Sequence, residues 1–322
     1  MLNLGSNQQK GAFDAIHRKL REISGRLFVS TRALWLLAAL WLVEWLWALL
    51  AGITLKNMGT GVSIVVTTLL VGVLLDSMRR DKRTAQFVYF LAFWLGLMKV
   101  GVLFSYLCAT FNLPLLDPLF DRMDSALGFN WLQWHGFVQA HAVFKGVLVI
   151  AYGSMFVQLF AAIIFFSLST ARQRAEEFWW STMIAVIITP FMSGLLPALG
   201  TFAYYKTDLD LAVHLSDLLA LRDGTMSIFP LLALKGIITF PSFHAASAIL
   251  LSYPYRHYKP LFSLVCVMNG LMLVSIPTEG GHYLVDVIAG VLVAVLSILI
   301  FRKMTQFKFA GRTAQMNGMQ AT

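Results

Sequence analysis

Long apolar runs alternate with short polar segments along almost the whole of this 322-residue chain. Several runs approach the roughly 20 apolar residues that a helix needs to cross a bilayer. The pattern therefore predicts an all-α, polytopic transmembrane bundle of about eight spans. The run at 240–253 is short and contains Pro241 and His244, so we expect its start to lie inside the protein or to line a wet cavity. The runs fall at about 33–53, 60–77, 86–111, 146–168, 178–200, 240–253, 260–277 and 281–301.

The segment before the first run has a helical pattern of a different kind. Phe13, Ile16, Leu20, Ile23 and Leu27 recur at steps of three and four, with basic residues around them. This spacing predicts an amphipathic helix that lies on a membrane surface, and the alternative is a disordered basic leader. We expect no secretory signal peptide, because this segment is polar and no small-residue cleavage site follows the first span.

Composition supports the membrane interpretation. Hydrophobic residues make up 58% of the chain and charged residues 13%, against roughly 45–50% and about 25% in soluble domains. The net charge of +9 does not indicate a nucleic-acid partner, because Lys and Arg cluster between the spans and at the ends of the chain. Cys108 and Cys266 lie inside apolar runs, so we interpret them as core residues and not as a disulfide.

The basic residues also predict an orientation. Counted by alternate sides, eighteen Lys and Arg lie on the side of the N-terminus and six on the other, with Lys99 inside a span. The positive-inside rule then places both termini in the cytoplasm. The two longest loops, about 112–145 and 201–239, carry most of the loop carboxylates on the opposite side. We therefore expect the chemistry at the face towards the periplasm, exterior or lumen.

Two histidine-containing segments open the sixth and eighth spans at that outer face. The first is Phe-Pro-Ser-Phe-His-Ala-Ala, which contains Ser242 and His244, and the second ends in Gly-Gly-His-Tyr-Leu-Val-Asp, which contains His282 and Asp286. A single span returns between them, so the two histidines are expected to face each other. His282 and Asp286 are four residues apart, which predicts contact on one helix face. A carboxylate in that position fixes the imidazole tautomer and leaves the other nitrogen free to attack.

The surroundings of these histidines suit a phosphate. Helix starts offer unpaired N–H groups and a positive dipole end, and Gly280 and Gly281 would allow the backbone to approach a bound group closely. Histidines in spans also serve as polar contacts between helices, and two His with an Asp could bind zinc. We favour phosphoryl transfer without a metal or cofactor, because no further metal ligand has an obvious position.

These segments resemble the second and third signature motifs of the type 2 phosphatidic acid phosphatase superfamily, and more closely its inositol phosphorylceramide synthase branch. The resemblance covers roughly residues 85–301. It implies a six-span catalytic core at 85–301, preceded by a basic leader at 1–30 and two extra spans at 31–84. A basic cytoplasmic tail at 302–322 would complete the chain.

The resemblance implies a role for each motif residue. His282 would be the nucleophile that carries the phosphoryl group as a phospho-histidine, with Asp286 orienting it. His244 would be the general acid for the leaving alcohol and then the base for the acceptor. Ser242 would donate a hydrogen bond to a phosphate oxygen. The scheme requires no cofactor.

The chain departs from the superfamily pattern in its cations. No intact Lys…Arg-Pro motif precedes the first histidine, and Ile276 stands where the pattern has an arginine six positions before the second. Two phosphate-binding cations are therefore missing. Arg222, Lys206 and Lys235, all in the loop at 201–239, are candidate substitutes, and Arg222 is preferred for its forked donors.

The missing cations affect the expected substrate. A phosphomonoester is close to a dianion at neutral pH, because its second pKa is near 6, whereas a phosphodiester has one negative charge. A site with fewer cations favours a diester, hence transfer of a phospho-headgroup from a phospholipid to an alcohol acceptor. One alternative is a lipid phosphate phosphatase that uses water. Another is a proton-coupled transporter in which His and Asp relay protons.

Overall fold

The computed structural model describes residues 31–78, 82–169 and 171–319, with side chains described from 33 to 306 within those ranges. Helices make up 78% of the described part of the chain, which confirms the all-α prediction. The predicted amphipathic helix at 11–27 lies outside the described residues and stays a prediction. In the described ranges the elements are α1 Thr31–Leu50, β1 Thr54–Lys56, α2 Met58–Ser77, α3 Lys82–Ala109, α4 Asp117–Ala126, α5 Trp131–Ala140, α6 Ala142–Leu168, α7 Arg172–Leu195, α8 Thr201–Tyr205, α9 Leu215–Arg222, β2 Ile228–Pro230, α10 Phe243–Ser252, α11 Lys259–Glu279 and α12 Leu284–Met319, with 3₁₀ turns at Leu209–Leu211 and Tyr253–Tyr255.

Seven of the described helices are long and apolar enough to cross a membrane, namely α1, α2, α3, α6, α7, α11 and α12. The remaining run of the sequence pattern, 240–253, forms only the ten-residue helix α10 and the 3₁₀ turn after it. Helix α10 packs against α6, α7, α11 and α12. Because protein surrounds it, α10 need not have the length of a lipid-exposed span. The chain is an integral membrane protein with a polytopic helix bundle.

Helix α3 connects the two N-terminal spans to the rest of the bundle. Both α1 and α2 pack against α3, which also packs against α6 and α7. An aromatic cluster fills the α3–α7 contact, where the rings of Phe90 and Phe93 lie 4.6 and 5.2 Å from that of Trp179. Trp94 stacks on Phe178 at 6.3 Å. These large rings contribute much of the apolar area that holds the two helices together.

The segment between α1 and α2 is joined to the long loop that precedes α10. Strand β1 pairs in parallel with β2, with Thr54 opposite Ile228 and Lys56 opposite Pro230. The ammonium of Lys99, on α3, donates to the carbonyl oxygen of Leu231 at 2.9 Å. The loop at 201–239 is thus fixed to the N-terminal half of the chain on the side where the site forms.

The other long loop forms α4 and α5, which lie over the starts of α10 and α12. Pro118 stands in the first turn of α4, where its missing N–H costs nothing, and the Asn130 side chain caps α5 by accepting from the Gln133 amide at 2.9 Å. The indole of Trp131 donates to the Pro277 carbonyl oxygen at 2.8 Å. The two loops together cover one end of the bundle.

Candidate active site

His282 and Asp286 meet at the start of α12 and are almost fully buried, with exposures of 5% and 0%. The His282 Nδ1 atom lies 3.2 Å from Asp286 Oδ2. Because a carboxylate accepts, Nδ1 carries the proton and Nε2 presents its lone pair. His282 precedes the first residue of α12, so the contact is made from the connecting loop and not, as predicted, from one helix face. The same Oδ2 accepts from the Tyr283 amide at 2.9 Å.

The charge state of His282 suits a nucleophile. Burial lowers the pKa of the imidazole from 6.5 to about 4, because a charged ring is costly away from water. At neutral pH the ring is therefore uncharged, and its Nε2 lone pair is available for attack. Ser242 Oγ faces that atom at 3.5 Å.

Ser242 is held by α12 as well as by its own helix. Its amide donates to the Asp286 carbonyl oxygen at 3.0 Å, and its Oγ caps α10 by accepting from the Ala245 amide at 3.4 Å. Gly290 allows this close approach, since a Cβ there would overlap the Ser242 carbonyl group. The starts of α10 and α12 are therefore locked together, which fixes the distance between the Ser242 hydroxyl and the His282 ring.

Tyr152, on α6, brings His244 to the same place. The two rings stack at 4.2 Å with an interplanar angle of 12°, and the tyrosine hydroxyl lies 3.5 Å from His244 Nδ1. A Cβ on Gly280 would lie 2.9 Å from this hydroxyl and 2.7 Å from His282 Cδ2, so both groups adjoin Gly280. Tyr152 lies outside both histidine-containing segments, and no local pattern marks it as a site residue.

Two buried carboxylates of α4 hold the loops around His282. Asp117 accepts from the amides of Leu199 and Gly200 at 2.9 and 3.0 Å and from the Tyr283 hydroxyl at 3.0 Å. Asp124 accepts from the amides of the first two α12 residues at 2.7 and 2.9 Å. Sequence reasoning missed both roles, because each partner lies more than eighty positions away.

The capping by Asp124 corrects one expectation about phosphate binding. The first amides of α12 are already bonded to Asp124, so they are not free for a phosphate. At the start of α10, in contrast, the amides of Phe243 and His244 have no hydrogen-bond partner among the described residues. The start of α10, beside Ser242, therefore offers free donors, whereas the first two amides of α12 do not.

Gly281 has a packing role that the sequence did not reveal. It adopts φ 65°, in the left-handed region that favours glycine, and a Cβ there would lie 2.5 Å from the Phe202 ring. Its carbonyl oxygen accepts from the Thr201 amide at 2.8 Å. The glycine shapes the turn that carries His282, and its predicted contact with substrate stays a prediction.

A third histidine, His214 in the loop at 201–239, lies close to the pair. His214 Nε2 lies 2.9 Å from the Leu199 carbonyl oxygen, to which it donates. Burial lowers the pKa of His214, and the nearby His282 contributes to the shift. His214 therefore belongs to the polar surroundings of the site.

The three predicted cations make other contacts. Arg222 donates to the Leu113 carbonyl oxygen at 2.9 Å, Lys235 Nζ donates to that of Val213 at 3.2 Å, and Lys206 is exposed at the end of α8. Among the described residues, no hydrogen bond or ion pair joins any of them to His244 or His282. Arg222, the preferred candidate, anchors the loop before α4. A role for these cations in substrate binding stays a prediction.

The zinc interpretation lacks a ligand set in the described part of the chain. No group of three or more His, Cys, Asp or Glu side chains there is arranged to hold a metal ion. The arrangement that exists is a neutral imidazole with an oriented tautomer, a serine hydroxyl facing its free nitrogen, and a second histidine beside it. These groups can perform nucleophilic attack and proton transfer.

A polytopic membrane bundle with a buried histidine–carboxylate pair at one end defines a membrane-embedded, histidine-based site. Residues 119–300, more than half of the chain, match the PAP2 superfamily, and the chain belongs to that family. It is therefore a lipid phosphatase or lipid phosphotransferase. The match begins within α4, later than the start of the core expected at residue 85. No curated protein and no solved structure matches the chain.

Proposed function

We propose that this enzyme transfers a phospho-headgroup from a phosphodiester lipid to an alcohol acceptor through a phospho-histidine on His282, as the resemblance to inositol phosphorylceramide synthase implies. The observation that carries the proposal is the geometry of His282. Its Nδ1 is engaged by Asp286 at 3.2 Å, and its Nε2 faces Ser242.

The reaction would have two halves. In the first, His244 begins as an imidazolium, a form that the bound anionic phosphate would stabilise against the effect of burial, which lowers the pKa of the free imidazole to about 3. The Nε2 lone pair of His282 attacks phosphorus, the bond from phosphorus to the leaving lipid alkoxide breaks, and His244 gives that oxygen its proton. In the second, His244 takes the proton of the acceptor hydroxyl, the oxygen attacks phosphorus, and the N–P bond breaks. Asp286 stabilises the positive charge that develops on His282 in the first half and is lost in the second.

The phosphate would sit at the start of α10. The Ser242 hydroxyl and the free amides of Phe243 and His244 supply neutral donors there, and the positive end of the helix dipole adds a partial charge. No cation is bonded to either histidine among the described residues. Neutral donors suit one negative charge better than two, which supports a diester donor over phosphatidic acid.

Membership in the PAP2 superfamily supports one second candidate, hydrolysis of a lipid phosphate. In that reaction water would replace the acceptor alcohol, and the same two histidines would act. The superfamily consists of lipid phosphatases and phosphotransferases, so membership does not support the proton-coupled transporter.

A donor panel distinguishes transferase from phosphatase. Purified protein is incubated with lipids labelled in the phosphate, either phosphatidic acid or a diester such as phosphatidylinositol, with and without a lipid alcohol such as ceramide. We expect the diester to turn over at least about tenfold faster and its label to appear in a new lipid. Comparable turnover of phosphatidic acid, or label released only in water-soluble products such as the phosphorylated headgroup, would contradict the transferase proposal.

Variants test the intermediate separately. Rapid acid-free denaturation should trap label on the wild-type protein and none on His282→Ala. His141→Ala is the matched control, because this exposed histidine lies between α5 and α6 and its side chain bonds to the Phe137 carbonyl group. Trapped label that persists in His282→Ala would rule out this nucleophile.

A further inference from the structure

A polar cavity of about 390 Å³ lies at the end of the bundle opposite the histidines. Its walls come from the start of α7, the residues after the Tyr253–Tyr255 turn, and the stretch of α12 from Phe301 to Gln306. Helix α10 leads from Ser242 to this cavity, and α12 leads from Asp286 to it. The cavity is therefore separate from the site already described.

Arginine side chains from three different elements converge on the cavity. Arg256 pairs with the buried Glu177 at 2.7 Å and lies 4.0 Å from the Tyr253 ring centre. Glu177 thus compensates the charge of Arg256. Arg174 makes a long 3.5 Å contact to the Pro254 carbonyl oxygen, and Arg302 is exposed with no ion pair among the described residues. Glu177, which also lines the cavity, pairs with Arg256, so Arg174 and Arg302 have no carboxylate partner among the described residues.

We propose that this cavity binds the phosphate group of an anionic phospholipid from the membrane leaflet opposite the active site. Guanidinium groups match phosphate oxygens in geometry and charge. Basic pockets between transmembrane helices commonly bind anionic lipid headgroups.

The position of the cavity favours a lipid over soluble phosphate. It lies where the apolar stretches of α7 and α12, Arg172–Leu195 and Leu284–Gln306, reach their ends, which is the depth of lipid headgroups. Tyr258, whose ring lies 5.2 Å below the Arg174 guanidinium, is of the residue type enriched at that depth. The buried Phe301 in the cavity wall gives the acyl chains an apolar neighbour.

Lipid binding is measured by native mass spectrometry of the purified protein, with dioleoyl phosphatidic acid as the probe. The His282→Ala background prevents turnover of the probe, and dioleoyl phosphatidylcholine is the zwitterionic comparison. We expect the protein with both arginines to retain phosphatidic acid. In the variant that combines Arg174→Gln with Arg302→Gln, one of the bound phosphatidic acid molecules should be held on the order of tenfold more weakly. Arg256 is left intact, because its loss would strand the buried Glu177.

Lys303→Gln is the matched control. Lys303 adjoins Arg302 and is exposed, but it does not line the cavity, so its loss should leave lipid retention unchanged. Equal weakening by Lys303→Gln, or undiminished retention by the double arginine variant, would overturn the proposal. Saturation by inorganic phosphate in the absence of lipid would assign the cavity to a soluble anion and equally overturn it. Melting temperatures without lipid show that each variant is folded.

Discussion

At the scale of single residues, the sequence revealed the reacting groups but not the groups that support them. The spacing of His282 and Asp286 predicted their contact, which forms because a turn joins them: the Asp286 amide donates to the Tyr283 carbonyl oxygen at 3.2 Å. Tyr152, which stacks on His244 from ninety-two positions away, has no such local signal. Only the tertiary packing of α6 against α10 places it there.

The pH dependence of stability tests the environment of His282. Burial lowers the pKa of this residue from 6.5 to about 4. Between these values the unfolded chain binds a proton that the folded protein excludes, so stability is full above pH 6.5 and falls as the pH drops towards 4. The loss attributable to His282 is on the order of 3 kcal/mol. We expect the melting temperature of wild type to fall more steeply between pH 7 and 4.5 than that of His282→Gln.

The exposed His141 provides the comparison for this experiment. His141→Gln should follow the wild-type curve, because this variant replaces an exposed histidine and leaves the buried His282 in place. If His282→Gln also follows that curve, the imidazole is not held neutral by the fold, and its assignment as a nucleophile loses its electrostatic basis.

At the scale of elements, the hydrophobic pattern predicted the helices but not how α10 and α12 are aligned. An apolar run indicates that a segment is helical and buried. The register between two such helices depends on contacts such as Gly290 against the Ser242 backbone and on the cap that Asp124 provides. These contacts join segments far apart in sequence, which periodicity cannot detect.

Asp124→Asn tests whether the cap of α12 positions the catalytic pair. The carboxylate accepts two amides, whereas an asparagine side chain can accept through only one oxygen and would direct its NH₂ group at the other N–H. One buried amide then loses its partner, which costs about 1–3 kcal/mol. We expect a lower melting temperature together with a fall in kcat on the diester substrate, since α12 carries Asp286.

Asp210→Asn is the control for the cap. Asp210 is an exposed carboxylate of the 3₁₀ turn Leu209–Leu211. Its replacement by asparagine removes the same charge without disturbing the start of α12. If Asp124→Asn lowers the melting temperature but leaves kcat unchanged, the cap is structural only and does not position the site.

At the scale of the whole molecule, the charge count and the fold agree on which loops lie together. Arg174, Arg256 and Arg302 come from three loops or helix ends that the sequence assigned to one side, and they line one cavity. The predicted outer loops, at 112–145 and 201–239, meet at the opposite end, beside the histidines. The bundle thus has two ends of different character, and the remaining question is which end faces the cytoplasm.

The positive-inside rule answers that question with a testable orientation. Eighteen Lys and Arg on one side against six on the other predict that the arginine cavity faces the cytoplasm and the active site faces outside. With Cys108 and Cys266 replaced by serine, we expect Asp210→Cys, at the site end, to react with a membrane-impermeant maleimide on intact cells. His257→Cys, exposed at the cavity end, should react only after permeabilisation. The reverse pattern would place the active site in the cytoplasm, and its lipids would then come from the inner leaflet.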